Sequence, residues 1–512
     1  MPPSVVVVGG GVAGCQAALD IAEHGLEVHL VEREPSIGGR MAQLDKTFPT
    51  NDCSMCILSP RMVEVARHPR IHVHTLSELT RVEGERGRFS VTITEHPRFV
   101  DEALCTGCGD CVEVCPVEVY NRFDAGVGVR KAIYTPHAQA VPNVVTRDTV
   151  HCIECGLCYD VCGPDAIRRE DQDRLVTLEA AAIVLTTGYD PIDPRCKPHY
   201  RYGEDPDVIT SLELERLINA SGPTGGEIRR LSNGEKPRSV VFIQCVGSRD
   251  MQQGRPWCSA VCCMHALKQA QWVKRRNPAV DCVILYTDLR TVGRDYYEYA
   301  LRDFNGNGVR LVRGRPSMIH PLPGGGIAVR YEDTSTGRRE IRKFDMVVLN
   351  GNLKPSLPSR PAPEAGPERG DEGFVSPTAV SCGFVMEPAD VTESAIQAAS
   401  AALTCQVAYG NTTEDWPTSL ALLERTLPLA VGQETIARLR QNLDTVRQNV
   451  TVDCCWFCGK RPDGSPAEVT MYTDVERRFG FYNGQVGTRI TWRNGTVRVP
   501  RCKSCQAAHK AA

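Results

Sequence analysis

Eight of the 24 cysteines fall in two runs of one pattern. The first reads Cys105-Thr-Gly-Cys108-Gly-Asp-Cys111-Val-Glu-Val-Cys115-Pro116. The second reads Cys152-Ile-Glu-Cys155-Gly-Leu-Cys158-Tyr-Asp-Val-Cys162-Gly-Pro164. Thiolates so spaced hold 4Fe–4S cubes in pairs, the first three of each run on one cluster and the fourth crossing to the other. The repeat therefore predicts one cluster on Cys105, Cys108, Cys111 and Cys162, and a second on Cys152, Cys155, Cys158 and Cys115. Gly107, Gly109 and Gly156 let backbone amides approach the sulfurs, and Pro116 and Pro164 stop each run from continuing as a helix. A structural zinc site or a disulfide knot also uses cysteines, but neither requires two full copies of this spacing. A pair of such clusters implies one-electron transfer.

The spacing resembles that of bacterial-type ferredoxins, yet the chain has 512 residues, enough for two to four domains. A net charge of −3 gives no electrostatic case for nucleic acid or an anionic membrane, and 6% aromatics argues against base stacking. No apolar run approaches the ~20 residues needed to span a bilayer. Val5–Val8 is too short for a signal peptide and runs into a glycine cluster. The expected location is cytoplasmic, where this many cysteines read as metal ligands before disulfides.

Ser4–Val8 reads as a buried parallel strand, followed by Gly9-Gly10-Gly11-Val-Ala-Gly14, a helical stretch, and a second strand ending at Glu32. Gly9 permits the tight turn, Gly11 the approach of a pyrophosphate, and Gly14 close packing of helix on strand. Glu32 is placed to accept from an adenosine ribose hydroxyl. Strand, glycines, helix, strand and acid occur in the order a dinucleotide site requires.

Three further segments resemble the two-dinucleotide-binding-domain flavoproteins. They are Ile37-Gly38-Gly39-Arg40-Met41, Ile183-Val-Leu-Thr-Thr187-Gly188-Tyr189-Asp190, and Glu387-Pro-Ala-Asp390-Val391-Thr-Glu-Ser394. The resemblance implies FAD as the dinucleotide, with Gly39, Arg40, Gly188 and Asp390 in its site. It also implies a late helix whose positive end faces the flavin and stabilises a reduced, anionic ring.

Ser239–Cys245 reads as the first strand of a second α/β unit, with Asp281–Tyr286 and Gly308–Val312 as later strands. Cys245-Val-Gly247-Ser-Arg-Asp250 stands where a nicotinamide-binding fingerprint belongs, so direct NAD(P)H oxidation is not expected. Cys258, Cys262 and Cys263 follow at the start of a helical run. With Cys245 they read either as a third cluster or as buried structural cysteines.

Several strings here are similar to the A subunit of heterodisulfide reductases. They include Ser211-Leu-Glu-Leu-Glu-Arg through Gly226, Trp257-Cys-Ser-Ala-Val-Cys-Cys-Met-His-Ala-Leu-Lys268, and Gly38 through Thr50 with Asp52-Cys-Ser-Met-Cys-Ile-Leu58. The match runs in order through residues 1–410. It implies a 4Fe–4S cluster on Cys245, Cys258, Cys262 and Cys263 close to FAD, and Lys268 near the flavin, where a cation favours anionic flavin and supplies a proton. Lys268 otherwise reads as a surface lysine on an amphipathic helix. Cys53 and Cys56 read as a redox dithiol, as packing against the flavin, or as extra metal ligands. Cys15, Cys196, Cys282, Cys382 and Cys405 are isolated and read as core residues.

Pro355–Gly373 reads as an exposed loop and Leu420–Asn449 as amphipathic helix. Cys455-Trp-Phe-Cys458 and Cys502-Lys-Ser-Cys505 bracket a strand-rich stretch, a zinc-ribbon-like arrangement of four thiolates. It needs hairpin turns at Phe481–Gly484 and Arg493–Gly495. The resembled family carries further ferredoxin-type motifs here instead.

The expected fold is α/β: an FAD-binding Rossmann-like domain in three parts (1–100, 171–235 and 351–410). A two-cluster ferredoxin domain is inserted at 101–170. A degenerate nucleotide-binding-like domain carrying a cluster spans 236–350, a helical linker 411–450, and the zinc-ribbon-like module 451–512. The expected cofactors are FAD, three 4Fe–4S clusters and zinc. The resemblance implies an electron-transfer subunit that passes or bifurcates electrons among FAD, clusters and partners. Those partners are B and C subunits, other iron–sulfur or dehydrogenase subunits, or ferredoxin, with homo-oligomerisation inside the complex. Two rivals stay open: a stand-alone NAD(P)H-dependent disulfide reductase using Cys53 and Cys56, and a non-catalytic redox-sensing docking protein.

Overall fold

The computed structural model describes residues 4–85, 87–305, 308–356 and 379–408, together with the backbone of 467–482 and 485–499. The chain divides into two units, Met1–Ser419 and Leu420–Ala512.

The first unit is built on two five-stranded sheets. In the first, β1 (Ser4–Val8), β2 (Glu27–Val31) and β3 (Ile71–His74) lie parallel in that order, and Ala182–Leu185 and Val380–Ser381 extend the other edge. Helix α1 (Val12–Glu23) follows β1, and α2 (Ser54–Arg67) precedes β3. β1 is apolar at every position after Ser4 because both faces are covered. Val5 and Val7 pack with Ala17 and Ile21 of α1 and with Ala398 and Ala402 of a late helix. Val6 and Val8 pack with Phe89, Val91, Ile93 and Leu178 of a three-stranded antiparallel sheet.

The second sheet repeats this arrangement. Its strands are β4 (Val208–Thr210), β5 (Ser239–Val246), β6 (Asp281–Tyr286), β7 (Val309–Arg313) and β8 (Met346–Gly351), parallel, in the order β4-β8-β5-β6-β7. Helices α3 (Ser211–Ile218) and α4 (Cys262–Arg276) lie on one face, where Val240 and Phe242 meet Leu214, Met264 and Leu267. Val241 and Ile243 face Ile319, Val329 and Phe344 of another antiparallel sheet. α3 begins in a capping box, with the Glu213 N–H donating to Thr210 Oγ1 at 3.2 Å and the Thr210 N–H to the Glu213 carboxylate. α4 starts at Cys262, so Cys258 lies ahead of the helix. The last helix among the described residues, α5 (Val391–Ala408), returns to pack on α1.

The cysteine-rich segment is inserted between β3 and the Ala182–Leu185 strand of the first sheet. It has two four-residue helices, Asp110–Glu113 and Leu157–Asp160, each entered through a left-handed glycine, Gly109 (φ 92°) and Gly156 (φ 87°). Val100, Ile133, Val145, Ala166 and Ile167 form its small core, with Cys111 among them. Arg98 and Arg216 bind it to its surroundings. Buried Arg98 donates to the Pro35 carbonyl at 3.1 Å and to Thr146 Oγ1 at 2.8 Å. Arg216, 1% exposed, pairs with Asp124 at 2.9 Å and donates to the Gln43 carbonyl at 2.9 Å.

In the second unit, Ala467–Tyr482 and Gln485–Val499 pair antiparallel, the last pair being Tyr482 with Gln485, and residues 483 and 484 of the expected 481–484 turn lie outside the described residues. The expected turn at Arg493–Gly495 is absent. Gly495 pairs with Met471 and Asn494 with Tyr472, and a register shift between Tyr472 and Asp474 absorbs one residue, so the strand continues. Cys455, Cys458, Cys502 and Cys505 lie outside the described residues, as do the expected helices at 420–449 and most of the loop at 355–373.

Candidate redox centre

The carboxyl end of β1 forms a cradle. Gly9 turns the chain with φ 111°, and Thr186 Oγ1 donates to the carbonyls of Val8 and Gly9 at 2.9 and 2.7 Å. A Cβ on Gly14 would stand 1.8 Å from the Gly9 carbonyl oxygen, so only glycine fits where helix meets strand. A Cβ on Gly11 would meet nothing nearer than Gly39 Cα at 3.9 Å, which leaves the space beside it open to a ligand. Glu32, buried at the end of β2, accepts from the Gly10 N–H at 2.7 Å and from the Glu34 N–H at 2.9 Å. Burial raises its carboxyl, and the two amides oppose that rise. A carboxylate offers about four acceptor sites, so capacity remains for ribose hydroxyls. These residues fit the adenosine pyrophosphate of a dinucleotide.

Arg40 and Arg33 both reach Asp190 Oδ1 at 3.3 Å. Burial alone would raise Asp190, but a hydrogen bond from Ser356 and the two guanidiniums outweigh it and hold the carboxyl below its usual range. Gly188, in the left-handed region at φ 69°, turns the chain from the first sheet toward this acid. Asp390 caps α5: its Oδ1 accepts from the Glu393 N–H at 2.8 Å, and the Asp390 N–H donates to the Glu393 carboxylate at 2.9 Å. The Tyr296 hydroxyl donates to its other oxygen.

The eight cysteines of the twin runs gather in two fours. Cys105, Cys108, Cys111 and Cys162 line one apolar hollow of about 330 Å³, open solvent included. Cys115, Cys152, Cys155 and Cys158 line another of about 380 Å³. The fourth cysteine of each run therefore stands with the other run. Burial, then the thiols of Cys108, Cys105 and Cys162, push the Cys111 thiol up to about 12. Crowded thiols of this kind ionise together only beside a cation, which iron supplies. Among the described residues no group of three or more His, Cys, Asp or Glu suits a single metal ion.

A third gathering lies at the carboxyl end of the second sheet. Cys245, near the end of β5, takes a left-handed conformation (φ 59°), and Cys262 and Cys263 open α4. All three are buried, with Cys258 half-buried beside them. A hydrogen bond from Cys262, working against burial, lowers Cys258 to about 6, and Arg290 and Arg249 assist. Cys262 is pushed well above its ordinary value. The Cys263 thiol is lowered as well, chiefly by its own hydrogen bond with Cys262.

Lys268 is not a surface residue. It is 1% exposed and pairs with Glu215 at 2.8 Å, while its Nζ also donates to the Lys46 carbonyl at 2.8 Å. Glu215 further accepts from Gln269 at 2.8 Å and from the Asp45 N–H at 2.8 Å, and it meets His265 Nε2 at 2.8 Å. Sequence reading missed Glu215 and His265. A glutamate in Leu-Glu-Leu-Glu-Arg looks the same whether its face meets water or another domain. Cys53 and Cys56 are joined as a disulfide at the start of α2. Of the isolated cysteines, Cys15, Cys282, Cys382 and Cys405 are buried, whereas Cys196 is half-buried, with Arg255 3.9 Å from its sulfur.

Family models match the regions of the glycine cradle and of the twin cysteine runs. The FAD dependent oxidoreductase family matches residues 4–58, and the 4Fe-4S dicluster domain family matches residues 104–167. The iron-sulfur A subunit of CoB–CoM heterodisulfide reductase from Methanocaldococcus jannaschii is 51% identical over 374 residues, covering 72% of this chain and 57% of its own length. The A subunit of H(2):CoB-CoM heterodisulfide,ferredoxin reductase from Methanothermobacter marburgensis is 49% identical over 68% of this chain and 53% of its own length. One iron-sulfur A subunit of CoB–CoM heterodisulfide reductase from Methanopyrus kandleri is 42% identical over 89% of this chain and 67% of its own length. The chain thus spans little more than half of the first two relatives. On identity and extent together, it belongs to the family of heterodisulfide reductase A subunits.

Proposed function

We propose that this chain is the electron-transfer subunit of a heterodisulfide-reductase-like complex. FAD sits on the Gly9–Gly14 cradle, and 4Fe–4S clusters on the two four-cysteine hollows and on Cys245, Cys258, Cys262 and Cys263. Zinc sits on Cys455, Cys458, Cys502 and Cys505. When bound, FAD supplies two-electron and the clusters one-electron redox chemistry. The observation that carries the reading is the exchange of Cys115 and Cys162 between the two hollows.

The chain's own residues set the conditions. Glu32 and the open side of Gly11 receive the adenosine half, and Gly39, Arg40, Gly188 and Asp390 line the rest of the flavin site. Lys268, fixed by Glu215, places a buried positive charge one helical turn beyond Cys263 and Met264 in α4. The second sheet offers no matching phosphate cradle. At Gly247, after β5, a Cβ would stand 2.3 Å from Ile192, so that turn is filled by protein. This disfavours nicotinamide as a direct donor and favours protein partners: B and C subunits, other iron–sulfur subunits, or ferredoxin, in a cytoplasmic assembly that includes homo-oligomers. The names of the relatives, which include a heterodisulfide,ferredoxin reductase, support that choice.

Anaerobic mixing tests it. Reduced ferredoxin is expected to bleach both flavin and cluster absorption, with NADH and NADPH ineffective. Rapid flavin bleaching by NAD(P)H alone would favour a stand-alone disulfide reductase instead.

A further inference from the structure

We propose that Cys53 and Cys56 form a second two-electron centre, a thiol-exchanging disulfide whose state reaches the buried Glu215–Lys268 pair through the backbone of Asp45 and Lys46.

The pair differs from the chain's other isolated cysteines. Burial pushes the thiols of Cys15, Cys282 and Cys382 up to about 12, out of reach of solvent. Cys56 is exposed, and Cys53 half-buried. Cys53 occupies the N-cap of the 14-residue α2, and its Sγ accepts from the Cys56 N–H at 3.1 Å. A helix N-terminus and an amide donor stabilise a thiolate at Cys53. The two cysteines therefore have different roles. The exposed Cys56 sulfur is open to attack, and Cys53 is the better leaving group.

The surroundings transmit the change. Lys46 and Cys53 form an antiparallel bridge, the Ser54 N–H donates to the Asp45 carbonyl at 3.1 Å, and the Thr47 N–H to the Asp52 carbonyl at 2.9 Å. Residues 45–54 are thus a closed loop with the disulfide at its base. On the inner side of the same loop, the Asp45 N–H donates to Glu215 at 2.8 Å and the Lys46 carbonyl accepts from Lys268 at 2.8 Å.

The exchange balances with a dithiol as reductant. One thiolate of the dithiol attacks Cys56 Sγ, a mixed disulfide forms, and the Cys53–Cys56 bond breaks with its electron pair on Cys53 Sγ. The second thiol of the dithiol then displaces Cys56. The reductant leaves as a disulfide, and its two protons end on Cys53 and Cys56. The partner class is a dithiol or disulfide, carried by a protein or by a small molecule.

The test uses the full chain and needs neither flavin nor cluster chemistry. The protein is equilibrated in buffers of varied reduced-to-oxidised glutathione ratio, quenched by alkylation, and the 53–56 peptide is quantified by mass spectrometry. Reversible interconversion without unfolding is expected, with Cys53→Ser trapping glutathione on Cys56. Amide hydrogen exchange across 45–54 should rise several-fold on reduction. Thiols that stay alkylatable at every ratio, or a bond that opens only in denaturant, would overturn the exchange. Loss of iron from Cys53→Ser or Cys56→Ser would make the pair metal ligands instead. Unchanged exchange across 45–54 would remove the link to Glu215 and Lys268.

Discussion

Glu215 and Lys268 form an ion pair at 2.8 Å with side chains 0% and 1% exposed, joining α3 to α4 beneath the Asp45–Lys46 segment of the first domain. Removing one partner leaves an uncompensated buried charge, which costs about 3–5 kcal/mol. Lys268→Met and Glu215→Leu should each lower the unfolding free energy by that order, and the double variant should recover much of it. Denaturant unfolding of the four proteins measures the coupling. Burial alone would raise Glu215; Lys268 and His265 outweigh it and hold the carboxyl below its unfolded value. The pair's stabilisation is therefore complete above the unfolded carboxyl's range and is lost as pH falls below it.

The crossing of the fourth cysteines can be tested by combining substitutions. Cys115→Ser and Cys152→Ser touch the same hollow, so together they should lose about four iron atoms, no more than either alone. Cys115→Ser with Cys105→Ser touches both hollows and should lose about eight. The reverse, about eight lost from the first combination and about four from the second, would mean the fourth cysteines do not cross.

Two glycines of one motif should fail differently. Gly14→Ala forces a Cβ to within 1.8 Å of the Gly9 oxygen and should destabilise the first sheet, visible as a lower Tm without added FAD. Gly11→Ala meets nothing inside 3.9 Å. Its apoprotein Tm should match wild type, while FAD affinity falls at least tenfold.

Burial, then Arg216, lowers His137 to about 4 from its ordinary 6.5. The ring stacks on Phe123 with centroids 5.0 Å apart, and its Nδ1 has no hydrogen-bond partner. The unfolded chain binds this proton first, so stability falls as pH drops from about 6.5 to about 4. His137→Phe keeps the stack and removes the proton. Its Tm should decline less than that of wild type over this window, by circular dichroism.

How much of this was legible in sequence depended on whether the signal was local. The valines of β1 announced a strand covered on both faces, and the Gly9–Gly14 spacing announced the turn that follows, because both are consequences of a few adjacent residues. The two cysteine runs carried even the placing of Cys115 with the second run and Cys162 with the first, since the doubled spacing is that of two-cluster ferredoxins. The buried charges were not legible. Lys268 and Glu215 come from separate helices and are buried only because the Asp45–Lys46 segment folds over them. The Asn494-Gly495 turn misled for a similar reason. A local turn signal yielded to a long strand partner that could take the extra residue as a bulge.

The most direct test of the account is iron and flavin content per chain after anaerobic purification. About twelve iron atoms with one FAD is the predicted result, four iron atoms for each of three clusters. About eight would leave Cys245, Cys258, Cys262 and Cys263 without a cluster and contradict the third cluster proposed there.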